Sequence, residues 1–141
     1  NLENNRLRSL SNMPEYPKMH TLVLNQNEIV NIESIRQMPE LRNIELRSNE
    51  ITDIWPVAGL EKVQALHASN NSIANLLPIL YLPEVVSLSL DDNPVRFCPR
   101  GTWTMINRKR IAISPFFQHY CIHLRQKETQ SLFSIMDVGD G

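Results

Sequence analysis

Four segments of this chain read MHTLVLNQNEI, LRNIELRSNEI, VQALHASNNSI and VVSLSLDDNPV, and each starts 22 residues after the one before it. A fixed period of this length, kept without insertion, constrains a fold more than any other feature, because each unit is too small to bury its own apolar face. The units have to stack on one another and share a continuous core.

Numbering each unit from Met19, Leu41, Val63 and Val85 puts Leu22, Ile44, Leu66 and Leu88 at position four, and Leu24, Leu46, Ala68 and Leu90 at position six. Position eleven is Ile29, Ile51, Ile73 and Val95, and further apolar residues follow at positions fourteen, seventeen and twenty. In the three complete units all 21 such slots are apolar, in a chain that is 42% hydrophobic. Independent placement would achieve that with a probability of roughly 10⁻⁸. Alternation around positions four and six is the period of a half-buried strand. Position nine is Asn27, Asn49, Asn71 and Asn93, with Asn5 in register ahead of them. An amide side chain both donates and accepts, so this column suits the buried backbone groups of a repeated turn. The second half of each unit is too short for a long helix, and Pro17, Pro39, Pro56, Pro78 and Pro83 favour 3₁₀ or single helical turns there.

The segments LVLNQNEI, IELRSNEI, LHASNNSI and LSLDDNPV resemble the leucine-rich repeat family. More narrowly they are similar to its 22-residue class, typified by the regulatory subunit of protein phosphatase 1. The resemblance implies an α/β, right-handed solenoid with a parallel β-sheet on the concave face and short 3₁₀ or helical turns on the convex face. It divides the chain into repeats over 1–97, a C-terminal cap over 98–124 and a tail over 125–141. The roles it implies are phosphatase regulator, spliceosomal subunit, axonemal dynein light chain and ciliary or centrosomal scaffold, in an intracellular setting that is cytoplasmic or nuclear.

Extrapolated backwards, Leu2, Leu7, Leu10, Met13 and Tyr16 fill the apolar slots of a partial first unit. The chain thus starts in the middle of a strand, and a fragment of a longer protein is the expectation. At the other end, WTMINRKRIAI (103–113) reads as a short helix with Trp103, Met105 or Ile106, and Ile113 on its apolar side. Ser114-Pro115-Phe116-Phe117-Gln118-His119-Tyr120-Cys121 has the spacing of the cap found in intracellular members of the family, with aromatic residues at its leucine slots and cysteine at its aspartate slot. RQKETQS (125–131) is polar and LFSIMDV (132–138) apolar, a frayed tail or a docking helix.

Nothing in the sequence carries catalytic chemistry. Four glycines, none in a phosphate-loop spacing, exclude a nucleotide cradle of that kind. His119, Cys121 and His123 alternate, but three ligands lack a fourth, and neither a metal nor another cofactor is expected. A net charge of −1 and 6% aromatic residues argue against direct nucleic-acid binding. No apolar run is long enough to span a membrane as a helix. Arg108, Lys109 and Arg110 form the one basic cluster, a solvated helix face or a phosphate contact. The cysteines, Cys98 and Cys121, fit reduced thiols. The alternative is a secreted or cell-surface recognition domain stapled by a Cys98–Cys121 disulfide. A third reading, a domain linked to a GTPase activator or a ubiquitin ligase, fits the uniform period less well.

Function therefore falls to the surface. Outward positions two, three, five, seven and eight place Arg42, Glu45, Arg47 and His67 in the middle of the sheet face, with Asp91 and Asp92 at its flank. These are the candidate contacts for a protein partner, since arginines are enriched at interface hot spots. Trp55, Leu77 and Tyr81 on the opposite side form a secondary candidate.

Overall fold

The computed structural model describes residues 1–115, 117–124 and 126. Four strands of three residues each, β1 (Thr21–Val23), β2 (Asn43–Glu45), β3 (Ala65–His67) and β4 (Ser87–Ser89), form one parallel sheet in sequence order. Their register is the sequence period itself: Leu22 pairs with Ile44, Ile44 with Leu66, and Leu66 with Leu88. Backbone bonds extend the pairing beyond each strand, from Leu24 N–H to Glu45 O, Leu46 N–H to His67 O and Ala68 N–H to Ser89 O, at 2.7–2.8 Å. Leu2 and Asn4 donate to Val23 O and Asn25 O at 3.0 Å, so the partial first unit continues the sheet.

The apolar slots form a single core. Each one in the three complete units is buried except Met19, which is half-buried against it. In the partial unit Leu10 is buried, whereas Leu2 and Tyr16 are exposed. Three 3₁₀ turns occupy the second half of the units, at Glu33–Gln37, Trp55–Val57 and Leu77–Tyr81. Pro56 and Pro78 sit in the first turns of the latter two, where a missing N–H costs nothing. Ahead of each turn, at position thirteen, Asn31, Asp53 and Asn75 accept the N–H two residues on, at 2.7–2.9 Å. These Asx turns start the turn without an N-cap residue further inside.

The asparagine column works between units. Asn49 Nδ2 donates to Leu24 O of the preceding unit and Leu46 O of its own, both at 3.0 Å, and its Oδ1 accepts from Ile29 N–H at 3.1 Å. Asn27, Asn71 and Asn93 repeat this set of bonds. Asn5 does not: it is exposed, and its Nδ2 donates to Glu3 O. Position eight, read from the sequence as an outward strand position, is instead the turn residue. Asn4, Gln26, Ser48, Asn70 and Asp92 all have φ between 55° and 63°, the left-handed region. The chain leaves the sheet there and presents the next asparagine inward.

The helix after the last unit is displaced from its sequence-based position. It is α1, Arg100–Arg108, rather than 103–113. Pro99 precedes it in extended conformation, and Arg110, at φ 52°, ends it. Arg110 N–H bonds Asn107 O and Ile111 N–H bonds Ile106 O, the two reverse bonds of a Schellman motif with arginine where glycine is usual. Trp103 and Ile106 are buried as expected, but Ile113 lies beyond the helix. The extended segment that follows pairs with the sheet: Leu88 N–H donates to Ala112 O at 2.8 Å and Ala112 N–H to Val86 O at 2.9 Å. The β4 edge is thereby covered, as open parallel edges need to be.

Residues 117–124 are helical, so the alternation of His119, Cys121 and His123 does not place them on one side of a strand. Cys121 points into the core and both histidines face solvent. Tyr120 Oη donates to Val95 O at 2.7 Å and Phe117 is buried. Phe116 and the segments 125–131 and 132–138, apart from residue 126, lie outside the described residues. Among the described residues no helix is long and apolar enough to cross a membrane.

Candidate protein-binding face

Because the register is in phase, equivalent outward side chains form columns about 4.8 Å apart. One column is Val23, Glu45, His67 and Ser89; its neighbour is Thr21, Asn43, Ala65 and Ser87. At the centre Glu45 Oε1 lies 2.7 Å from His67 Nδ1, and His67 Nε2 lies 3.1 Å from Ser87 Oγ. The Arg47 guanidinium donates to the other oxygen of Glu45. Asn25 Oδ1 accepts the Arg47 backbone N–H at 2.7 Å, which steadies the point where that side chain leaves the sheet. Glu45 and His67 are about four-fifths buried by their neighbours, at 22% and 20% side-chain exposure. Polar side chains held this way have already given up much of their freedom and hydration before any partner arrives, which lowers the ordering cost of binding.

Of the residues singled out in the sequence, the structure brings Glu45, Arg47 and His67 into one network. Arg42 stands apart and exposed, in a column with His20, Gln64 and Val86, the last 60% exposed. Asp91 and Asp92 join none of the ion pairs among the described residues. Asp92 is the left-handed turn residue, and Asp91 contributes its carbonyl to Asn70 N–H and Asn93 Nδ2. Ser87 was missed: it meets His67 diagonally across two strands, and only the register places them together. The signal available was its outward position three on the unit after that of His67.

The serine–histidine–glutamate contacts follow the order of a hydrolytic triad, so the surroundings decide what they can do. The amides of Ser87 and Leu88 already donate to Gln64 O and Ala112 O. An oxyanion formed at Ser87 would find neither amide free to stabilise it. The network is suited to recognition by hydrogen bonds and charge. No group of three or more metal-ligating side chains occurs among the described residues.

On the opposite side, the Trp55 and Tyr81 rings lie 5.8 Å apart and tilted by 42°. Tyr81 is 52% exposed, while Trp55 and Leu77 are half-buried between neighbouring turns. Cys98 and Cys121, 23 residues apart in sequence, are in contact in the core, and no disulfide joins them. Their hydrogen bond, and then burial, hold the Cys121 thiol well above its ordinary value.

No family model and no curated protein matches this chain. Among solved structures it is similar to an internalin (inlF) from Listeria monocytogenes str. 4b F2365, with a TM-score of 0.52 and 27% identity. That likeness covers 53% of this chain and 22% of the internalin chain, so the present chain spans a minor part of that protein's length. The internalin is itself a leucine-rich repeat protein. With the 22-residue register, the asparagine column and the parallel sheet, this likeness shows the α/β solenoid fold of leucine-rich repeat proteins.

Proposed function

We propose that this protein is a non-catalytic interaction module that binds a protein partner on the outward face of its sheet, with Arg42, Glu45, Arg47 and His67 as the central contacts. The observation that carries this reading is the Glu45–Arg47–His67–Ser87 network, held at the middle of the sheet by two contacts between adjacent units and one within a unit. A partner meeting it finds donors and acceptors already oriented, and Val86 and Arg42 beside them provide an apolar and a cationic rim. Asp91 and Asp92 extend the contact toward the β4 side, and Trp55, Leu77 and Tyr81 serve a second partner or none.

The test is capture from a lysate of the source organism, with the native chain and an Arg42→Glu, Arg47→Glu variant as paired baits. Loss of a specific partner with the variant supports the sheet face; equal retention moves the site elsewhere on the molecule.

A second reading is favoured by one observation, the contact between Cys98 and Cys121. A secreted or surface recognition domain would hold that pair as a disulfide. Intact mass of the protein taken from its native source and alkylated as it is denatured, without reductant, separates the two: two alkyl groups for the intracellular reading, none for the secreted one.

A further inference from the structure

A groove of about 480 Å³ lies between α1 and the 3₁₀ turn Leu77–Tyr81. Its floor is Leu80, from the 3₁₀ turn Leu77–Tyr81, together with Gly101 and Met105. A Cβ at position 101 would meet the Leu80 methyls at 3.4–3.5 Å, so the missing side chain keeps that floor open. Its rim is cationic: Arg100, Arg108 and Lys109 line it, and no carboxylate among the described residues does. Neither Arg100 nor Arg108 belongs to any ion pair among the described residues. The Lys109 ammonium is anchored on Pro83 O at 2.5 Å, which fixes one positive end of the groove.

From these features we propose that the groove takes an acidic peptide segment of a protein partner, in extended form. Arg100 and Arg108 stand at the two ends of α1, about 12 Å apart along its axis at about 1.5 Å per residue. An extended strand covers that span in about four residues at about 3.3 Å each. The segment therefore carries two carboxylates four residues apart, with an apolar side chain midway on the same side, over Leu80 and Met105. A volume of this order is that of a small-ligand or single-side-chain site rather than a bed for a nucleic-acid backbone. The chain's net charge of −1 likewise supplies no wider field for a polyanion. The contact is independent of the sheet face and would survive if that assignment failed.

The probe is a blocked pentapeptide, Glu-Ala-Leu-Ala-Asp, titrated into the full chain and followed by amide chemical shifts. The expected result is millimolar or tighter binding, with shifts centred on Gly101, Thr104 and Met105. Binding should weaken at least tenfold in Arg100→Glu, Arg108→Glu, whose exposed positions leave the amide spectrum otherwise folded, and weaken when serine replaces the peptide's leucine. The proposal is overturned by no binding, by equal binding to the variant, or by indifference to the leucine. It is also overturned if inorganic phosphate or a short oligonucleotide displaces the peptide at equal charge concentration, which would mark a general anion site. Movement of resonances from 127–141 on peptide addition would identify the chain's own end as the occupant and overturn it equally.

Discussion

Asn49 shows how a single side chain holds two repeats together. Its amide bonds Leu24 O, Leu46 O and Ile29 N–H in a site only 8% exposed. Replacing it with alanine orphans those groups, and at about 1–3 kcal/mol for each buried unpaired group Asn49→Ala should cost about 3 kcal/mol or more. Asn5→Ala, at an exposed position, should stay within about 0.5 kcal/mol; paired urea titrations check both. The asparagines were legible in the sequence because chemistry and spacing agree. Position eight was not: glutamine, serine, asparagine and aspartate occupy its left-handed sites, so no single residue type announced them, although Asn4, Asn70 and Asp92 were a partial signal. Glycine escapes the steric cost of that conformation but loses more chain entropy on folding, so Gln26→Gly should raise stability modestly, by about 0.5 kcal/mol, read as a rise in Tm. The Cys121 thiol makes a pH-dependent prediction. The folded state holds its proton above the ordinary value of 9.0, so its contribution is complete below that pH. As pH rises past 9.0 the unfolded chain ionises first, and stability falls. Urea midpoints between pH 8 and 10.5 should decline more steeply for the native chain than for Cys121→Val, and iodoacetamide should label folded Cys121 far more slowly than the unfolded chain.

The elements are short, and none would persist alone. A three-residue strand gains its stability from the neighbour in register, and a 3₁₀ turn from the core it covers. Element type was therefore readable from apolar spacing, whereas element ends were set by local bonds that spacing does not encode. For α1 the apolar pattern starts at Trp103, yet the helix begins directly after Pro99, and it stops at Arg110 because a Schellman motif forms without glycine. The extended segment after it was hidden for the same reason, since Ala112 pairs with β4 through backbone alone. Thr102, Trp103 and Ile106 are the buried residues of this helix, and Trp103 is the largest of them. Trp103→Ala should cost about 3–5 kcal/mol. It should also speed hydrogen exchange at Leu88 N–H, whose acceptor is Ala112 O, more than at Leu24 N–H, far along the sheet. Uniform loss of protection would instead mean that the solenoid unfolds as one unit.

At the scale of the whole molecule, the period does two things at once. It stacks apolar slots into a core, and it aligns outward side chains into columns, so an ordered outward surface is obtained from the same repeat that gives stability. The columns were legible; the specific network in them was less so, because the Glu45–His67 and His67–Ser87 contacts depend on rotamers and on a diagonal between strands. Which partner reads that surface is beyond sequence, since one fold hosts many functions. The central claim is that the sheet face is where a protein binds. It is tested most directly by hydrogen–deuterium exchange of the full chain with and without its captured partner. The account predicts slowed exchange at 42–47 and 64–67, with 55 and 77–81 unchanged. Protection confined to 77–81, or to 100–109, with the sheet face unaltered, would contradict it.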